Sequence, residues 1–145
     1  MKTDLVVAGY IIDDDKVLLI HHKKLGKWLP VGGHIDKDET PDQALKREVK
    51  EEVNLEIEIL CPSPLPSVGN VIENLALPFH VNVHPVNDHY HCCFYYLCKP
   101  VLGNEVKINH ESNSFHWFTV AELHEEIVPE DVRLQSLFAL ELLKK

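Results

Sequence analysis

The chain has 145 residues, 45% of them hydrophobic and 26% charged, close to the averages of folded soluble domains, which argues against wholesale disorder. Acidic residues outnumber basic ones 23 to 14, a formal net charge of −9, which argues against sequence-independent binding of duplex nucleic acid through a cationic surface. The longest uncharged apolar runs, such as Val17–Ile20 and Phe94–Leu97, fall far short of the roughly 18 residues of a membrane span.

Leu5–Ile12 and Lys16–His22 read as two strands joined by the acidic turn Asp13-Asp14-Asp15, a hairpin signal. Residues 28–33 (Trp-Leu-Pro-Val-Gly-Gly) read as a loop. Thr40 then opens a helix: it is a candidate N-cap, Pro41 suits the first helical position, and Gln43 completes a capping box. The helix is expected to end near Val53, with Leu45, Val49 and Val53 as its buried stripe. Leu55–Leu60 reads as a strand, and the alternate prolines of Cys61–Ser67 mark an irregular or edge segment.

Phe79–Val83 and His89–Cys98 are further strands, and Phe115–Phe118 is a short one. Thr119 is placed to cap a helix over Val120–Glu126. A last amphipathic helix starts near Pro129 and carries Leu134, Leu137, Phe138 and Leu142. The alternation of strands with one early and two late helices predicts an α/β (α+β) sandwich, a single domain over residues 1–145. The N-terminal stretch lacks the apolar core of a signal peptide, so a cytoplasmic protein is expected. The four cysteines, Cys61, Cys92, Cys93 and Cys98, form no C-x-x-C pair and are expected to be reduced packing residues.

The chemistry concentrates on the early helix, in Arg47-Glu48-Val49-Lys50-Glu51-Glu52. At 3.6 residues per turn, Glu48, Glu51 and Glu52 fall within roughly 100° of one another, beside the apolar stripe. Glu48 and Glu52 are a like-charged i, i+4 pair, unfavourable even in water and more so when partly buried. Arg47 stands four residues before Glu51 and neutralises part of the cluster. The remainder suits a hard divalent cation, since Mg²⁺ prefers carboxylate oxygens and completes its shell with water and substrate phosphates. Taken alone, the same pattern also fits a solvated acidic helix face.

The flanking residues separate these alternatives. From Gly33 the sequence runs through five residues to Glu39 and seven more to Arg47-Glu48-Val49-Lys50-Glu51-Glu52-Val53-Asn54-Leu55. This resembles the Nudix box, G-x5-E-x7-R-E-U-x-E-E-x-G-U with U apolar, over residues 33–55. Every specified position matches except Asn54, where the family has Gly. At average residue usage the coincidence has a probability on the order of 10⁻⁹ to 10⁻⁸ per start point. Asn is the next best residue for a left-handed helix cap, so the departure is expected to be structural and mild.

The resemblance implies a Nudix fold, a mixed sheet between helices with the box as loop–helix–loop. It implies hydrolysis, dependent on Mg²⁺ or Mn²⁺, of a nucleoside diphosphate linked to another moiety. It further implies that Glu48, Glu51 and Glu52 bind metal, that Gly32 lends a backbone carbonyl, and that Arg47 orients the carboxylates with Glu39. The general base is expected at Glu51 or Glu52, with Glu111 next. A catalytically silent, sensing Nudix domain is the alternative; the intact carboxylate set argues against it.

The substrate end is less legible. Trp28, Phe79, Tyr90 and Tyr95 are candidates to stack on a base and equally candidates for packing. The ten histidines include His80, His84, His89 and His91, but no short metal-binding motif, so pocket-lining or surface roles are expected for them. The expected partner is a small nucleotide, without duplex nucleic acid or membrane, bound by a monomer or homodimer.

Overall fold

A computed structural model describes residues 1–145. Its first strand, β1 (Thr3–Asp13), is buried on both faces from Val6 to Ile12, so a layer must cover each side of it. The turn after it places Asp14 and Asp15 in the left-handed region, at φ 51° and 58°, as a two-residue hairpin loop requires. The next strand is β2 (Lys16–His22). The hairpin is present but short. Only Ile12↔Val17 and Asp13↔Lys16 pair, after which the two strands diverge into separate parts of the sheet.

The segment expected as a loop, residues 28–33, instead forms two strands on either side of Pro30. They are β3 (Lys27–Leu29) and β4 (Val31–His34). Long-range pairing overrides local propensity here. β3 lies antiparallel to β2, and β4 lies antiparallel to β1 with Gly33 opposite Val7 and Gly32 opposite Ala8.

Helix α1 (Pro41–Val53) has the expected bounds and the full capping box, with Leu45, Val49 and Val53 buried. Strand β5 (Ile57–Ile59) is shorter than expected, because only these three residues pair with the long strand of residues 89–100, while Leu55 packs into the core. No regular element follows until β6 (His80–Val86), which pairs with β7 (His89–Pro100) as a hairpin. β8 (Ser112–Phe118) adds to β2. The short α2 (Val120–Leu123) and the long α3 (Glu130–Leu143) complete the chain.

The sheet is mixed. β1 runs parallel to β7 from Thr3↔Tyr90 to Ile11↔Cys98, and the other pairings are antiparallel. On one face Val7, Ile11, Leu18 and Val31 pack beneath α1; on the other Val6, Ala8, Tyr10 and Leu19 pack against Leu123, Val132, Ala139 and Leu140. This is the expected sandwich.

Both late helices depart from expectation. α2 stops at Leu123, where Arg133 accounts for the end: its Nε donates to the Leu123 carbonyl at 2.7 Å and its Nη2 to those of Glu125 and Val128. α3 is rotated about its axis. Val132, Gln135, Ser136, Ala139 and Leu140 face the sheet, while Leu134 and Phe138 are 62% and 52% exposed. Small Ser136 and Ala139 allow close approach, and Gln135 accepts a hydrogen bond from the buried Tyr10 hydroxyl, so a polar residue occupies the stripe without being left unpaired.

Candidate active site

The helix that carries the acidic cluster is positioned at both ends by local chemistry. Thr40 Oγ1 accepts from the Gln43 N–H, and the Gln43 side chain accepts from the Thr40 N–H. At the other end Asn54 adopts φ 63°, ψ 26°, returns its N–H to the Lys50 carbonyl, and donates Nδ2 to Glu105 O at 3.2 Å. The left-handed cap is therefore formed by Asn, with a tether that glycine lacks.

Arg47 organises the loop that enters this helix. Its Nε and Nη2 hold both oxygens of Glu39 at 2.7 and 2.9 Å, and Nη2 also reaches the His34 carbonyl at 3.0 Å. Nη1 donates to Glu48 at 2.9 Å and to Glu51 at 3.4 Å. One guanidinium thus ties the loop to two of the three box carboxylates. The bidentate bond to Arg47, with the Asp36 N–H donating to the same carboxylate, lowers the Glu39 pKa to about 2.

The three box carboxylates differ sharply in environment. The Glu51 side chain is 56% exposed, that of Glu48 is 16% exposed, and Glu52 is buried. Burial, against the opposing pull of Arg47, raises the Glu48 pKa, with Glu51 and Glu111 adding to the rise. Burial, then the Glu48 and Glu111 carboxylates, pushes Glu52 up to about 9, although the Gly32 N–H donates to its Oε2 at 3.1 Å. Glu111 is thereby brought to the same cluster from the loop before β8.

Two glycines make room for this arrangement. A Cβ at Gly33 would lie 2.4 Å from Glu48 Cδ, and a Cβ at Gly32 would lie 2.0 Å from the Val7 carbonyl oxygen. In an extended strand the N–H and C=O of one residue share an edge, so the Gly32 carbonyl faces the side on which its N–H meets Glu52.

Glu48, Glu51, Glu52, Glu111, Gly32 and Gly33 line one cleft of about 730 Å³. A converging set of carboxylates to which Arg47 alone is bonded as a cation is the donor set of a hard divalent cation, so the residues fit Mg²⁺ or Mn²⁺. Of the four stacking candidates Tyr95 lines this cleft, and the other three are not brought to it. Trp28 packs edge-on to His21 and Phe118, Phe79 lies between Tyr10 and Phe138, and Tyr90 points to the opposite face of β7 from the cleft-lining His91. Strand pairing decided these positions.

Other residues complete the cleft without having been singled out in the sequence. Lys24 and Lys27 line its rim, and the run His21-His22-Lys23-Lys24 was the available signal. Asn109 braces the acidic loop: its Nδ2 donates to Glu51 O at 3.1 Å, its Oδ1 accepts from the Glu111 N–H at 3.0 Å, and its own N–H donates to Glu52 O. No sequence pattern distinguishes it. Tyr95, a stacking candidate, and His84 and His91, for which pocket-lining or surface roles are expected, line the same cleft.

A NUDIX domain model matches residues 2–138. The chain is 28% identical over 138 residues to a MutT-like protein of Streptomyces ambofaciens, covering 94% of this chain and 73% of that one. It is 29% identical over 137 residues to the Mycobacterium tuberculosis protein named "Putative 8-oxo-dGTP diphosphatase 2", covering 90% and 84% respectively. The crystal structure of a NUDIX-family hydrolase from Clostridium perfringens superposes with a TM-score of 0.84 at 30% identity, covering 99% of both chains.

Proposed function

Because the chain belongs to the NUDIX hydrolase family, we propose that it hydrolyses a phosphoanhydride bond in a nucleoside diphosphate linked to a further group, a nucleoside triphosphate being the first candidate. The observation that supports this reading best is the gathering of Glu48, Glu52 and Glu111 at one end of a cleft otherwise rimmed by Lys24 and Lys27.

In this reading Glu48, Glu51 and Glu52, with the Gly32 carbonyl, hold Mg²⁺ or Mn²⁺. Such an ion, when bound, neutralises diphosphate charge and acidifies the attacking water. The chain's own groups do the rest. Arg47, anchored on Glu39, fixes the Glu48 carboxylate and restrains Glu51, so the ligand set is preorganised rather than recruited. Glu51, the exposed member of the ligand set, or the exposed Glu111 outside it accepts the proton from water at a carboxylate oxygen. Lys24 and Lys27 draw the polyphosphate to the rim against a net negative protein.

The experiment is product analysis with a panel of nucleoside triphosphates, 8-oxo-dGTP, ADP-ribose, NADH, nucleotide sugars and dinucleoside polyphosphates, with Mg²⁺, with Mn²⁺ and with EDTA. The expected result is metal-dependent cleavage concentrated in one class. Tight binding of any member with cleavage of none would replace the proposal with a sensor.

A further inference from the structure

Beyond the carboxylate cluster, we propose a second metal site, formed by Asp4, His34, His89 and His91, for a borderline first-row cation of the Zn²⁺ type. Asp4 lies near the start of β1, His34 ends β4, and His89 and His91 open β7. The sheet register gathers them on one face. Asp4 is the parallel partner of His91, His89 is two residues along the same strand, and His34 pairs with Val6, two residues from Asp4. Asp4, His34 and the His89–His91 pair are far apart in sequence, which is why no short motif reveals the site.

One donor atom from each residue lies within 4.8 Å of every other. His34 Nε2 is 3.2 Å from Asp4 Oδ2, His89 Nε2 is 3.6 Å from that same oxygen, and His89 Nε2 is 3.1 Å from His91 Nε2. A tetrahedral zinc with ligands about 2.0–2.1 Å away spaces its donor atoms about 3.3 Å apart, which these separations match. The second nitrogen of His89, Nδ1, is held by Asp88 Oδ1 at 3.1 Å, the carboxylate–histidine arrangement that orients a metal-bound imidazole.

The donor chemistry separates this site from the acidic one. Three imidazoles and one carboxylate favour zinc, copper or nickel over Mg²⁺, whereas the glutamate cluster is all oxygen. With four protein donors the site is closed, so its role is to bind and brace rather than to activate water. It would tie the end of β4 to β1 and β7. β4 also carries Gly32 and Gly33, and His34 and His91 line the same cleft as the glutamates, so occupancy would stiffen that wall of the cleft.

The test is titration of the full chain with Co²⁺ in excess Mg²⁺, read by visible absorption, with Zn²⁺ as competitor. The expected result is saturation near one equivalent with the intense bands of a four-coordinate nitrogen–oxygen set, displaced by Zn²⁺. His89→Ala and Asp4→Asn should each weaken binding at least about 10-fold, and Glu52→Gln should leave it intact. Zn²⁺ should raise the Tm of the wild type and not that of His89→Ala. His34→Ala, at a side chain 55% exposed, serves as a further variant if either of the others fails to fold. Saturable binding lost in Glu52→Gln and kept in the histidine variants would assign the ion to the glutamates and overturn the proposal. Absence of saturable binding up to millimolar Co²⁺ would overturn it equally.

Discussion

The carboxylate of Glu48 occupies the space in which a side chain at Gly33 would begin, 2.4 Å from the position of a Cβ to Glu48 Cδ. Gly33→Ala therefore displaces the end of a flexible side chain and leaves the backbone in place. The expected outcome is a loss of about 10- to 100-fold in kcat/KM with little change in Tm. Gly32→Ala is different, because its Cβ would meet the Val7 carbonyl at 2.0 Å, a backbone atom of the central strand. That variant should lose stability as well as activity. Thermal melts beside steady-state kinetics check both.

The Glu39–Arg47 bond gives the fold an acid sensitivity of defined sign. The Glu39 pKa is lowered to about 2 by Arg47, from 4.5 for the free side chain. The unfolded chain thus binds its proton first as pH falls, and the stabilisation is complete above about pH 4.5 and lost as pH drops toward 2. Glu39→Gln should melt lower than the wild type at pH 6, with the difference closing as pH falls through that window. A difference independent of pH would mean the carboxylate contributes nothing through its charge.

Asn109 holds the loop of Glu111 against the end of α1 through its contacts with Glu51 O and the Glu111 N–H. Asn109→Ala should lower kcat several-fold while leaving KM nearly unchanged, since it misplaces an acid without touching the Lys24 and Lys27 rim. Asn109→Asp, which keeps the acceptor for the Glu111 N–H, should recover part of the loss. Equal effects on kcat and KM, with no recovery, would assign Asn109 a merely structural role.

What was legible in the sequence was what local chemistry dictates. Thr40, Pro41 and Gln43 specify the start of α1 by bonds that span three residues, and Asn54 ends it in the left-handed region as expected of that residue. The Arg47–Glu39 pair followed from the resemblance and formed within one loop and helix turn. What was not legible depended on partners distant in sequence. Residues 27–29 and 31–34 became strands because β2 and β1 pair with them, and Trp28, Phe79 and Tyr90 were placed by sheet register rather than by their stacking capacity. α3 turned its expected stripe partly outward because Gln135 could satisfy Tyr10 and Ser136 could pack closely, two facts invisible to a hydrophobic pattern. Asn54→Gly should consequently change activity little, exchanging the tether to Glu105 O for an easier left-handed backbone.

In the proposed function, the buried Glu52 carboxylate and its neighbours run a divalent-metal-dependent hydrolysis. The most direct measurement is kcat of Glu52→Gln against the wild type on the substrate identified by the panel, across a Mg²⁺ titration, with circular dichroism to confirm the fold. The variant is expected to fold and its turnover to fall by at least about 100-fold at every Mg²⁺ concentration. A folded variant with near-wild-type, Mg²⁺-dependent turnover would contradict it.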